Sequence, residues 1–326
     1  MRIAAAPIKT VPDIKKSHKR GITFFITIVI LAVAAYLLQQ FEIKSPRLPI
    51  GDGIEIAMDW AIIYLSPALE AIKLVMSKVF TSVETAFLWI PWPVWVLLVG
   101  AAGWTLTSLR TGLTVAVALL IVQSIGLWDE AMSTMALISV AVILTVIVAM
   151  PIGIASARSD AFEGFLRPLL DAMQTIPGLV YLIPAVMLLG VGKVPAVIAT
   201  MIFAIPPAIR LISLGLRQVS PTIKEAAIAF GASKWQLLIK VEMPLALKTI
   251  MTGINQATMM SVSMVIIAAF IGAGGLGYSV LFALDRVRIG AGFEAGLAIL
   301  AIAIVLDRLT QGFAQSRDLK KARKTQ

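Results

Sequence analysis

Three stretches of the chain hold residue types whose spacing could do work. In the first, Ser220-Pro221 and Glu225-Ala226-Ala227 precede Gly231, and Ser233 stands three residues before Gln236. Proline at a first helical position, a glycine stop and a serine–glutamine capping box spell two short helices joined at the glycine. That pair exposes Phe230, Trp235, Leu237 and Leu238 either to a docking partner or to the ends of neighbouring apolar helices; composition leaves both open. The second stretch places Asn255, Gln256, Thr258, Ser261 and Ser263 among Met259, Met260 and Met264 inside an apolar run. Polar groups there either face a water path or bond one helix to another. The third, Gly272-Ala273-Gly274-Gly275-Leu276-Gly277, has the spacing of a dinucleotide-binding loop. Such a loop needs a strand before it and an acidic residue about twenty positions on, whereas this one follows an apolar run, so a flexible turn is expected.

Other chemistry is excluded by what is missing. The sequence has no cysteine and one histidine, His18, which lies in a basic tail. Thiol nucleophiles, thiolate metal sites, histidine-rich metal sites and a Ser-His-Asp triad are therefore out of reach. Gly192-Lys193 is not a phosphate-binding loop, because Met187 and Val194 stand where glycine and Ser/Thr are needed.

The elements that must hold these stretches are apolar. Of 326 residues 59% are hydrophobic and 14% charged, against about 25% charged in soluble proteins, which excludes a soluble globular domain. Eight runs are candidates to span a membrane: 22–38, 89–109, 113–128, 135–155, 176–189, 194–214, 250–271 and 297–306 with its flanks. With the N-terminus inside, 21 of the 28 basic residues fall on the cytoplasmic side, as the positive-inside rule requires. An even number of spans with both termini cytoplasmic follows. The net charge of +10 is explained by topology and anionic lipid, not by nucleic acid. Ala32-Val33-Ala34 imitates a signal-peptide cleavage site but lies inside its apolar run, so the first span is expected to be retained.

Between the first two spans, residues 54–88 carry one polar stripe, which reads as helices 54–65 and 67–87 lying on the membrane surface, with Ser66 capping Pro67; a tilted span over 67–87 is the alternative. Trp89, Trp92 and Trp95 mark an interface. Prolines 151, 177, 184, 195, 206 and 207 interrupt or border spans and suit helices that move. Asp171 beside Arg167, and Asp307 beside Arg308, read as structural ion pairs. The last ten residues read as a disordered tail.

The spacing Glu225-Ala226-Ala227, three residues, Gly231, nine residues, Val241, one residue, Met243-Pro244 resembles the EAA loop of bacterial binding-protein-dependent ABC importer permeases, with Val241 and Met243 as mild apolar departures. A closer resemblance, to the permeases of glycine betaine/proline betaine importers, covers about residues 131–311. It is carried by Arg167–Pro177, Tyr181–Pro184, Phe203–Pro207, Gly272–Gly277 and Leu306–Gln311. The resemblance implies an all-α integral membrane protein of about eight transmembrane helices. A basic tail (1–21) and accessory spans with an external amphipathic helix (22–130) precede a five-helix core (131–311, coupling loop 213–249) and a second basic tail (312–326).

It further implies a second copy of the chain, two cytoplasmic ATPase subunits that hold the ATP and Mg, and a periplasmic or extracellular substrate-binding protein. No cofactor, metal or catalytic residue is expected in this chain, which would sit in the bacterial inner membrane and make or break no bond. Glu225, Ala226, Ala227, Gly231, Trp235 and Pro244 would couple to the ATPase. Asn255, Gln256, Met260, Ser263 and Met264 are candidates for the path of a quaternary-amine solute, its cation met by polarisable sulfur and its carboxylate by donors such as Asn255. Gly272, Gly274, Gly275 and Gly277 are candidates for an outer gate. The rivals are a permease for another small solute such as an amino acid, and an ion-coupled secondary transporter. The latter should show a repeat and a mid-span acid, and the sequence shows no repeat.

Overall fold

The structure is a computed structural model that describes residues 14–40 and 48–324. It is helical throughout, with no strand among the described residues. The basic residues Arg2, Lys9, Lys44 and Arg47 lie outside the described residues. The chain divides into two units at Glu55 and Ile56.

In the first unit, α1 (Ile14–Gln40) exposes its apolar side chains from Phe24 to Leu37, as a helix surrounded by lipid would. Residues 54–88 do not form two helices. They belong to a single helix, α2 (Ile50–Trp89), which begins in the first unit, lies mostly in the second and has Pro67 inside it. Proline removes the N–H that would bond the carbonyl four residues back. The Ser66 hydroxyl donates to that carbonyl, Ile63 O, at 3.3 Å, so the serine repairs the helix instead of capping a new one. By length and composition α2 is able to cross a membrane.

Within the second unit, α3 (Trp92–Leu106) starts after Pro91 and α4 (Leu109–Ile125) after Ser108, whose hydroxyl accepts from Thr111 N at 3.3 Å. The first run, 89–109, is thereby shortened to 15 residues, and the second, 113–128, is shifted toward the N-terminus as a helix of 17. Trp89 and Trp92 are exposed, while Trp95 is half-buried and its indole N–H donates to Phe87 O at 2.9 Å.

The remaining elements are α5 (Trp128–Arg158), α6 (Asp160–Thr175), a 3-10 turn (Gly178–Tyr181), α7 (Leu182–Leu189), α8 (Lys193–Arg217), α9 (Pro221–Ala229), α10 (Lys234–Gln236), a wide π turn (Leu237–Glu242), α11 (Met243–Ala268), α12 (Gly275–Asp285) and α13 (Ile289–Lys324). The run 176–189 is not a full span by itself but a 3-10 turn followed by the eight-residue α7. After α6 the chain turns by 106° at Ile176-Pro177 into the 3-10 turn and α7, because the residue before a proline is driven out of the helical region. The last residues are also helical as far as Lys324. Beyond Gly312 there is no glycine or proline to stop α13, and Lys, Arg, Ala, Leu and Gln are good helix formers.

Among the described residues, five helical stretches are long and apolar enough to cross a membrane: α2, α5, α8, the continuous rod Lys234–Ile271 made of α10, the π turn, α11 and a closing 3-10 turn (Ala269–Ile271), and Ile289–Gly312 of α13; the bent α6–α7 pair makes a sixth. The chain is an all-α, multi-pass membrane protein. Its centre is α8, packed between α5 and α11. A methyl group at Gly153 would stand 2.7 Å from Ile212, and one at Gly253 2.8 Å from Leu211, the close helix approach that small residues permit in lipid. Buried side chains gather in one cluster around Met132, Ile138, Leu276 and Ile302 and another around Ile209, Ile212 and Ile250.

Candidate functional site

The connection between α8 and α11 is shorter than the sequence suggests, since α8 runs to Arg217 and the next rod begins at Lys234. Pro221 occupies the first turn of α9, although the Ser220 side chain makes no cap bond. The helix ends as expected: Gly231 takes φ +83°, with Gly231 N donating to Ile228 O at 2.8 Å and Ala232 N to Ala227 O at 3.0 Å. Both bonds of the capping box are present, Ser233 N to Gln236 Oε1 at 2.9 Å and Gln236 N to Ser233 Oγ at 3.3 Å. The second helix is not a separate short element, however. It is the leading end of the rod that carries α11.

The apolar residues of this connection divide between the two fates left open above. Leu237 and Leu238 are buried, while Phe230 and Trp235 are 93% and 69% exposed. On α9, Lys224 and Ala227 are half-buried, and Glu225, Ala226 and Ile228 are exposed. Pro244 begins the first turn of α11 and is exposed. The result is a protruding helix–turn–helix end with an apolar tip.

Below it stands a residue that the sequence reading missed. Glu242, the last residue of the π turn, has a side chain only 2% exposed. It takes both arms of the Arg158 guanidinium, with Nη1 to Oε1 at 3.2 Å and Nη2 to Oε2 closer still. Lys224 Nζ lies 3.3 Å from Oε1 and also donates to Leu216 O at 3.2 Å. A lone acid between Val241 and Met243 at the start of an apolar helix demands a cation partner; that was the available signal.

The second stretch is more dispersed. Asn255 Nδ2 donates to Asp307 Oδ1 at 3.0 Å, and Gln311 Nε2 reaches the same oxygen at 2.7 Å. Arg308 stands 4.0 Å from the other carboxylate oxygen, so amides, more than the adjacent arginine, hold Asp307. Asp171 likewise pairs with Arg210 of α8 and not with Arg167: residues four apart on one helix were the sequence guess, and a neighbouring helix supplies the partner. The hydroxyls of Thr258, Ser261 and Ser263 bond carbonyls of their own helix. Gln256 and Ser263 are exposed, Met260 is half-buried, and Met264 is fully buried against Leu182, Ala185 and Ala199. Tyr181 and Phe203 meet edge-on beside that cluster, ring centroids 5.7 Å apart.

The glycine turn is a packed joint rather than a loose one. Gly272, Gly274 and Gly275 have φ of +80°, +75° and +65°. A methyl group at Gly275 would lie 2.4 Å from Thr134 Oγ1, and one at Gly277 2.4 Å from Val265 O. Thr134 Oγ1 accepts from Leu276 N at 2.8 Å, and Ile271 O accepts from Gly192 N at 2.7 Å. The turn thus ties α11 and α12 to α5 and to the start of α8.

Residues 149–318 match the family described as binding-protein-dependent transport system inner membrane component. This chain belongs to that family. The match takes in the bent pair, the protruding end, the rod and α13 within one sequence unit. Two relatives extend the likeness beyond it. The glycine betaine/proline betaine transport system permease protein ProW of Escherichia coli is 39% identical over 278 residues, 84% of this chain and 78% of that protein. The glycine betaine transport system permease protein OpuAB of Bacillus subtilis is 39% identical over 268 residues, 82% of this chain and 95% of that protein. A chain of the inward-facing MetNI methionine ABC transporter shares the fold, with a TM-score of 0.51 at 21% identity over 60% of this chain and 95% of that one. As a transport-system inner membrane component, the chain is a permease.

Proposed function

We propose that this permease is the membrane-spanning subunit of an ATP-driven importer for quaternary-amine solutes of the glycine betaine class. The observation that carries the reading is the 39% identity, over more than four-fifths of the chain, to two permeases named for glycine betaine transport. Both termini lie in the cytoplasm, which places α9 and the exposed Phe230 and Trp235 there as well. The ATPase is a separate chain that holds the ATP and Mg. The permease pairs with a copy of itself, so that two protruding ends serve two ATPase subunits, and an external binding protein delivers the solute.

On this reading α9 and the turn at Gly231 seat in the ATPase, with Glu225, Ala226, Trp235 and Pro244 at the contact and Ala227 bracing it from within the subunit. ATPase closure moves a rigid helix end and so rocks the helices behind it, a rigid-body switch across an interface. Asn255, Gln256, Met260 and Ser263 line the path at some stage of the cycle, and Met264 reaches it only when its cluster opens. The turn of Gly272, Gly274, Gly275 and Gly277 closes the far end as a tightly packed gate.

The test is uptake of labelled glycine betaine into proteoliposomes that hold the permease, its ATPase and its binding protein, with ATP inside. Uptake that requires ATP and collapses in Glu225→Lys or Gly231→Pro supports the reading. Uptake driven by an ion gradient without the ATPase overturns it, and ATP hydrolysis without glycine betaine movement overturns the solute assignment alone.

A further inference from the structure

We propose that Glu242 is the joint that couples movement of α9 to the transmembrane helices, with Lys224 and Arg158 as its two arms. The proposal rests on the reading of α9 as the ATPase-facing helix. Its physical basis is the meeting of four helix ends on one buried carboxylate. Arg158 closes the last turn of α5, Glu242 precedes the first turn of α11, Lys224 stands in the first turn of α9, and the Leu216 carbonyl that Lys224 also holds is at the end of α8. Positive charge at the end of α5 and negative charge at the start of α11 each favour the local helix dipole. Lys224 is therefore the one link of this cluster that belongs to the moving element.

The π turn explains how the carboxylate gets there. Trp235 and Glu242 are seven residues apart, and on an unbroken α-helix such residues lie within about 20° of the same face. Here Trp235 is exposed and Glu242 buried. The extra residue in the wide turn at 237–242 rotates one relative to the other, so that one rod presents an apolar side chain outward and an acid inward. Wide turns of this kind concentrate at functional positions. A purely structural helix start would be served as well by an apolar residue, since a buried ion pair is a weak source of net stability. Two cations from two different helices on one carboxylate give something else: any displacement of α9 that carries Lys224 away either drags Glu242 or strips one of its charges.

The experiment measures solute taken up per ATP hydrolysed in the reconstituted complex of permease, ATPase and binding protein. Lys224→Met keeps the Arg158–Glu242 pair, so the acid stays neutralised, but cuts the arm to α9. The expected result is a fall of about tenfold in uptake per ATP, with Lys224→Arg, which keeps charge and reach, restoring most of it. Arg158→Lys, which keeps the charge but loses one of the two bonds, is expected to give a smaller fall in the same ratio. If Lys224→Met leaves the ratio unchanged, or lowers hydrolysis and uptake in equal proportion, the joint is only a structural contact and the proposal is overturned. Should Lys224→Met not assemble, an unchanged ratio in Arg158→Lys overturns it equally. Failure of the joint alone is told from failure of the underlying reading by Glu225→Lys: if that variant also transports normally, α9 is not the ATPase-facing helix.

Discussion

At the scale of single residues, backbone geometry makes the firmest predictions. Gly231 sits at φ +83° with nothing near a substituted methyl group, so Gly231→Ala pays only the left-handed backbone cost, about 1–2 kcal/mol. A modest drop in the melting temperature of the detergent-solubilised permease is expected, while assembly with the ATPase persists. Gly277→Ala is the contrasting case, because its methyl group would meet the Val265 carbonyl at 2.4 Å. Overpacking costs about 1–3 kcal/mol, and a larger loss of melting temperature than in Gly231→Ala is the expected outcome. At the tip, Phe230→Ala and Trp235→Ala are expected to leave the fold intact, since both side chains are exposed. Each should weaken ATPase binding by about 2 kcal/mol, as interface anchors of this type do, readable by titrating the ATPase onto the purified permease. The capping box and the glycine stop are legible in the sequence because their partners are three to five residues apart. The pairings of Asp171 with Arg210, Asp307 with Asn255 and Glu242 with Arg158 are not, because each spans 39 to 84 positions and depends on which helices become neighbours.

Helices carry a second kind of information. Hydropathy finds an apolar run but not its direction, which is why 176–189 reads as one span although Pro177 breaks it from α6 by 106°. Proline itself is ambiguous in the same way: Pro177 turns the chain, whereas Pro67 is carried within α2 because Ser66 supplies the missing donor. Ser66→Ala is expected to destabilise α2 by about 1 kcal/mol, the worth of one hydrogen bond, seen as lower protection of its amides in hydrogen exchange. The same helix is tied to the core by Glu84, whose carboxylate accepts from Lys193 at 2.6 and 2.7 Å and from Ser133. Because the chain has no cysteine, a single probe can report on this tie. With Met76→Cys as the reporter, Lys193→Met should raise its maleimide reactivity about tenfold, the ratio given by 1.4 kcal/mol of easier opening.

For the whole molecule, the family match begins at residue 149, inside α5, yet the packing does not respect that boundary. The α3–α4 hairpin rests on α13, where a methyl group at Gly312 would stand 2.8 Å from Thr107 Oγ1. The accessory hairpin is therefore built into the core rather than appended to it. Composition and the positive-inside count make the all-α membrane class legible from the sequence. How the accessory helices attach is not legible, because Gly312 against Thr107 and Glu84 against Lys193 are meetings of distant positions that hydropathy does not register.

One feature of this architecture sets a mechanical limit. The rod Lys234–Ile271 has 38 residues, about 57 Å at 1.5 Å per residue, and reaches from the protruding tip to the glycine turn. A lever of that length, tilting by about 10° around its middle, swings each extremity through about 5 Å in opposite directions. The glycine turn and the tip would then share one stroke, and lengthening the rod by a residue would turn every side chain beyond the insertion by about 100°, putting the two ends out of phase.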